Sequence, residues 1–198
     1  MWSAAILAGG RATRFGGLDK SALVVDGRSI LERQVSELAK LTTDILLVGG
    51  SPAPQGDSVR VVKDLVPGCG PLGGMHAALD AAAGDATMVV ACDMPYLSAR
   101  FLAHLLTLTA DADAVVPRTE LGHHPLCAAY TRACLAPAAA RLARGHLKML
   151  DLLDDVRVRV VTTEEIDEFG DHTRLLANVN TPADYGALEA IQGHQLSS

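Results

Sequence analysis

Four apolar residues, Ala4-Ala5-Ile6-Leu7, run into Ala8-Gly9-Gly10-Arg11-Ala12-Thr13-Arg14-Phe15-Gly16-Gly17-Leu18-Asp19-Lys20. A short apolar run bounded by such a stretch reads as a buried strand. Extended apolar sequence resumes at Ala22-Leu23-Val24-Val25. The stretch between is therefore a long glycine-rich, basic loop at the carboxyl end of a first strand. In open α/β sheets, ligands bind at that edge.

The loop has the chemistry for polyphosphate. Glycine accepts positive φ and lets a ligand approach the backbone. Successive free N–H groups form a concavity for anions. Arg14 can fork onto phosphate oxygens, and Lys20 can act as a compact point charge. A solvated turn shares this composition, so the loop alone leaves both readings open. Two familiar phosphate loops are excluded. A P-loop needs glycine directly before its lysine and again five positions earlier, where this chain has Asp19 and Arg14. A dinucleotide fingerprint needs spaced glycines opening a helix, and Gly9-Gly10-Arg11 does not supply them.

A chain of 198 residues fits one domain, expected over residues 1–192 with a frayed tail from 193 to 198. Its residues are 49% hydrophobic and only 4% aromatic, so the core is aliphatic and a base-stacking platform is disfavoured. A formal net charge of −6 argues against a general partner role toward nucleic acid or a membrane surface. Cys69, Cys92, Cys127 and Cys134 form no Cys-x-x-Cys pair, and reduced thiols in the cytoplasm are expected. No signal peptide and no membrane-length apolar run is read.

Further along, Ser29 and Glu32 have capping-box spacing, and Ile30, Leu31, Val35, Leu38 and Leu41 follow at helical spacing. Strands are expected at Ile45–Val48, at Val59–Val62 and at Thr87–Ala91. Further strands are expected at Ala114–Val116, ending at Pro117, at Leu126–Tyr130 and at Val156–Val161. Helices are expected from Pro71, from Ser98 to Leu108, over Arg132–Arg144, over Lys148–Leu153 and over Pro182–Ile191. Glu164–His172 reads as irregular. Strand, loop and helix alternate through the first half, which implies a mostly parallel sheet with helices on both faces.

Asp93 follows the Thr87–Ala91 run and precedes Met94-Pro95. A carboxylate at that edge can hold a hard cation, and a turn or cap aspartate would look the same. Asp64, after Val61-Val62-Lys63, is open between a turn residue and a ligand contact. Gly73 and Gly74 cost helix propensity, which close approach by a ligand or helix-to-sheet packing would each explain. His123 and His124 are equal candidates by chemistry. Asn178 and Asn180 offer donors and acceptors, and helix capping accounts for their neighbour Thr181.

Leu7-Ala8-Gly9-Gly10, Arg14 and Gly16-Gly17-Leu18-Asp19-Lys20 closely resemble the opening signature of the molybdenum cofactor guanylyltransferases. That family sits within the nucleotidyltransferases related to sugar-nucleotide pyrophosphorylases. Cys92-Asp93-Met94-Pro95, Gly70-Pro71-Leu72-Gly73-Gly74, His124-Pro125 and Asn178-Val179-Asn180-Thr181-Pro182 match later family blocks. The family often has asparagine after its second strand, where this chain has Val48-Gly49. The resemblance implies an α/β, three-layer, Rossmann-like nucleotidyltransferase fold. It implies transfer of GMP from GTP to a molybdopterin-type cofactor, with Mg²⁺ as metal. Nucleotide contacts are expected from Leu7, Ala8, Gly9, Gly10, Lys20, Asp64, Gly73 and Asp93, with Mg²⁺ on Asp93. Arg14 and Lys20 are the expected catalytic cations, and Gly17, His124, Asn178 and Asn180 face the acceptor. Handover to molybdoenzymes or their chaperones is the implied partnership. The rivals are a related cytidylyltransferase, a sugar-phosphate nucleotidyltransferase and a GTP-binding regulatory module without transfer.

Overall fold

The aliphatic runs form the strands of a central sheet in the computed structural model, which describes residues 1–8, 24–25, 27–49, 59–63 and 68–179. In chain order these are β1 (Trp2–Leu7), a small hairpin of β2 (Val24–Val25) and β3 (Arg28–Ser29), β4 (Ile45–Val48), β5 (Val59–Val62) and β6 (Ala86–Ala91). Then come β7 (Ala114–Thr119), β8 (Gly122–His123), β9 (Cys127–Thr131) and β10 (Val158–Val161). The main sheet runs β10-β7-β9-β6-β1-β4-β5, with β8 paired to β7. The pairs β1–β4, β1–β6, β4–β5 and β7–β10 are parallel, whereas β9 runs antiparallel to both β6 and β7.

Successive side chains on a strand face opposite sides, and here both sides are dry. On β1, Ala4 and Ile6 pack into one cluster while Ala5 and Leu7 pack into the other. The first cluster is closed by α1 (Ile30–Leu38) and α3 (Ala99–Thr107), through Leu31, Leu38, Phe101, Leu102 and Leu105. The second is closed by α2 (Gly70–Ala81) and α4 (Leu135–Ala143), through Leu72, Met75, Leu79 and Ala138. The result is the expected three-layer α/β arrangement.

The expected capping box is present. Ser29 Oγ accepts from Glu32 N at 3.2 Å, and Glu32 accepts from Ser29 N at 2.8 Å. Pro71 stands in the first turn of α2, where its missing N–H is not needed. Pro137 lies in the first turn of α4 for the same reason.

Three expectations need correction. The strand at Ala114 does not stop at Pro117 but continues to Thr119. Pro117 pairs opposite Val161, and its carbonyl accepts from His124 N at 2.8 Å, so the strand uses its acceptor and does without its donor. The stretch 164–172 is not irregular: α5 (Thr163–Asp167) and the start of α6 (His172–Leu175) lie in it. Thr162 and Glu165 make a second capping box there. The helical piece at Lys148–Leu153 is a short 3₁₀ turn over Leu150–Asp154. The helix expected at Pro182–Ile191, the tail from 193 and the loop Ser51–Asp57 lie outside the described residues.

At the amino-terminal edge of the parallel strands, Asp44 accepts from Ser3 Oγ at 2.5 Å, Ala83 N at 2.9 Å and Arg60 Nη2 at 2.7 Å. Ser3 Oγ in turn accepts from Gly84 N at 2.8 Å. Gly84 packs so tightly on β1 that an added Cβ would lie 2.6 Å from the carbonyl carbon of Trp2. All four cysteines are free thiols, and burial pushes Cys127 and Cys134 up to about 12. No helix among the described residues is long and apolar enough to cross a membrane.

Candidate active site

The carboxyl edge of the central strands is built from β1 and β6, which pair with Leu7 opposite Ala91. Neighbouring strands lie about 4.8 Å apart, so the exits of these two strands are adjacent. The ladder outlasts the strands: Ala8 N donates to Val48 O at 2.9 Å, and Cys92 N donates to Leu7 O at 3.2 Å. The chain therefore enters the glycine-rich loop from the centre of the sheet, beside the turn that carries Asp93.

That turn is held from several directions. Ala91 N donates to Leu126 O at 2.9 Å, and Val179 N donates to Asp93 O at 2.9 Å. Gln34 Nε2, on α1, donates to both Ala91 O and Met94 O. The bond from Val179 ties the closing Asn178-Val179 segment to the Asp93 backbone. Asp93, His124 and Asn178 consequently line one cleft of about 300 Å³, floored by Ala91, Met94 and Cys127. A second cleft of about 260 Å³ shares His124 and Asn178 and opens toward Glu120, His172 and Leu176.

His124 is half-buried. Its Nε2 lies 2.9 Å from Thr119 Oγ1, and its backbone is tied to Pro117. Burial lowers its pKa, nearby His123 and His172 add to that, and Glu120 opposes it without reversing it. The imidazole is thereby favoured in its neutral form, a hydrogen-bonding group rather than a cation. His172 has the opposite setting. Its Nδ1 lies 2.9 Å from Asp167 Oδ1, and that hydrogen bond raises its pKa.

Leu7 is buried, and Gly74 on α2 faces it: a Cβ there would meet Leu7 Cδ2 at 3.5 Å, ordinary contact. Packing of helix on strand thus accounts for Gly74. Gly73 is buried on the same helix. Gly9, Gly10, Arg14, Gly17, Lys20, Asp64 and Asn180 lie outside the described residues. The structure thus brings Leu7, Ala8, Asp93, His124 and Asn178 to one edge. Val48 ends β4 at that same edge, where its carbonyl accepts from Ala8 N, and Gly49 follows it.

The donor chemistry at Asp93 fits a hard divalent cation. Asp93 and the side-chain amide of Asn178 line the same cleft, and Asp93 is the one acidic residue lining it among the described residues. Mg²⁺ is typically held by one or two carboxylates together with substrate phosphates. The group Asp167, Asp171 and His172 has ligand atoms within 4.8 Å of one another. Its members are engaged in hydrogen bonds within the α5–α6 corner.

Gln34 also belongs to this edge, through its bonds to Ala91 O and Met94 O. Its spacing, four residues after Ile30 and four before Leu38, marks it as buried on α1, but not what it binds.

A mainly parallel sheet between two helical layers, with the carboxylate turn of Asp93 beside the strand end that leads into the glycine-rich stretch, defines a nucleotidyltransferase-type α/β domain. The family model described as MobA-like NTP transferase domain matches residues 4–161, and the chain belongs to that family. It is 35% identical to a "Probable molybdenum cofactor guanylyltransferase" of Pelotomaculum thermopropionicum, covering 90% of this chain and 87% of that protein. It is 30% identical to the molybdenum cofactor guanylyltransferase of Desulfosudis oleivorans, with 93% of each covered. Among solved structures, molybdopterin-guanine dinucleotide biosynthesis protein A from Archaeoglobus fulgidus superposes with a TM-score of 0.81 at 25% identity, covering 98% of this chain and 100% of that one. The 2-C-methyl-D-erythritol 4-phosphate cytidylyltransferase of Thermus thermophilus shares the fold, with a TM-score of 0.69 at 15% identity and 96% and 98% coverage.

Proposed function

We propose that this protein transfers GMP from GTP to the terminal phosphate of a molybdopterin-type cofactor and releases pyrophosphate. The observation that carries the geometric side is the pairing of Leu7 with Ala91. It sets the loop that would hold a triphosphate beside the carboxylate that would hold the cation. The acceptor cleft then continues from Asp93 to His124 and Asn178.

The attacking atom is an acceptor phosphate oxygen, ionised at neutral pH. It forms a bond to the α-phosphorus of GTP while the bond to the bridging α–β oxygen breaks. No strong general base is required, so catalysis is positioning and charge stabilisation. Backbone N–H groups from Ala8 to Gly10 hold the triphosphate. Arg14 and Lys20 offset charge growing on the α-phosphate and on the departing pyrophosphate. Asp64 and Gly73 line the nucleotide side. His124, neutral, and Asn178, with Asn180 and Gly17, hydrogen-bond the acceptor. Asp93 holds the cation, proposed as Mg²⁺, which when bound neutralises phosphate oxygens. The reading extends to one domain over residues 1–192, a cytoplasmic location and handover of product to molybdoenzymes or their chaperones.

The test is pyrophosphate release by the purified chain with molybdopterin, Mg²⁺ and each nucleoside triphosphate in turn. Release with GTP and not with CTP or UTP is expected. Preference for CTP would make the protein a cytidylyltransferase. GTP binding without release would make it a regulatory module.

A further inference from the structure

Gln34 belongs to α1, yet its amide works on the turn that carries Asp93. The residue is 1% exposed. Its Nε2 donates to Ala91 O at 2.8 Å and to Met94 O at 2.9 Å. Those two carbonyls bracket Cys92 and Asp93, so one nitrogen fixes the backbone on both sides of the carboxylate. The other end of the amide, Oε1, is buried with no hydrogen-bond partner among the described residues. A buried acceptor left without a partner is costly. Methionine or leucine would fill similar space without that cost, but neither has an N–H for the two carbonyls. Ionised glutamate has none either. What the orphaned oxygen accompanies is the one thing these alternatives lack, a nitrogen with two hydrogens.

The rest of α1 acts on the same segment. Arg33 Nε donates to Pro95 O at 3.1 Å, and Glu37 Oε2 accepts from Ala99 N at 2.9 Å. Through three side chains, α1 grips the backbone at Ala91, Met94, Pro95 and Ala99. Among the described residues this helix is the first after the glycine-rich stretch, with β2 and β3 directly before it.

We propose that Gln34 is a positioning residue for the cation ligand, setting the angle at which Asp93 presents its oxygens to a divalent metal. This rests on the reading of Asp93 as that ligand. Residues that orient a metal ligand typically change metal affinity by about 10–100-fold when altered. They leave contacts made by other parts of the site in place.

The experiment uses the full chain with Mn²⁺ as the probe. Equilibrium dialysis gives the dissociation constant for GTP in metal-free buffer and for Mn²⁺·GTP. Their ratio is the gain due to metal, and the electron paramagnetic resonance spectrum of bound Mn²⁺ reports its coordination. Gln34→Met and Gln34→Glu are expected to lower that gain by about tenfold and to broaden the spectrum. Their affinity for metal-free GTP is expected to stay within about twofold. Asp93→Asn should abolish the gain. If Asp93→Asn keeps it, the reading of Asp93 fails and the proposal fails with it. If Asp93→Asn loses it while both Gln34 variants keep it, the Gln34 proposal alone is overturned. Equal weakening of metal-free GTP, or failure of both variants to fold, would also overturn it by making Gln34 a residue of general stability.

Discussion

Individual side chains proposed for the site and its surroundings differ in what they are asked to do. Lys20 is proposed to stabilise charge that grows during transfer, so Lys20→Ala should lower kcat by about 10²–10³ with a smaller change in KM for GTP. Steady-state pyrophosphate release checks this, and unchanged kcat would remove Lys20 from the chemistry. His124 and His172 carry opposite pH signatures. The folded pKa of His124 lies below its ordinary 6.5, burial being the main cause. Between those values the unfolded chain binds more protons than the folded one, so stability is lost as pH falls below about 6.5. The folded pKa of His172 is raised, its bond to Asp167 being the main cause. Its contribution is fully present below 6.5 and fades as pH rises through the folded value. Melting temperatures from pH 5 to 8 should show His124→Gln losing less stability on acidification than the parent. His172→Gln should lose more. The reverse order would refute both assignments.

At the level of elements, legibility followed local signals. The Ser29–Glu32 box predicted α1 because capping is a contact within four residues, and the structure contains both of its bonds. The same four-residue logic was available at Thr162–Glu165. It was missed because charged Glu164, Asp167 and Glu168 mask the short apolar stripe, in which Ile166 is the buried member. Thr162→Ala should therefore destabilise the protein by about 1 kcal/mol, read as a shift in the urea midpoint at constant slope. No shift would mean that α5 is held by Ile166 alone. Pro117 misled because an absent N–H argues against a strand interior, yet here the strand changes partners at that residue. β9 pairs with β7 only at Ala114 and Val115, and β8 takes over at Arg118 and Thr119. The reversed direction of β9 also left no trace in composition, because a buried run looks alike in either direction. Asp93 was legible by its place after an apolar strand. Gln34 was not, since a glutamine on a helix is ordinarily solvated and only the neighbouring turn shows what it binds.

Across the whole molecule, the two edges of the sheet divide stability from chemistry. The amino-terminal edge is closed by backbone contacts and by the Ser3–Asp44–Arg60 network. Gly84→Ala puts a methyl group against Trp2 and Ser3 backbone atoms that have no rotamer to yield. It should cost about 1–3 kcal/mol or more, measured by urea denaturation. GTP turnover per folded molecule should be unchanged, because among the described residues the contacts of Gly84 lie at the opposite end of β1 from Leu7 and Ala8. Reduced turnover in the folded fraction would show that the edges are coupled. The carboxyl edge, by contrast, collects its parts from widely spaced points in the chain: Ala8, Asp93, His124 and Asn178.

The bond from Val179 N to Asp93 O carries a consequence for the order in which the protein is made. Every strand of the sheet among the described residues is made before residue 179, so the scaffold of a nascent chain precedes the segment that walls the cleft beside Asp93.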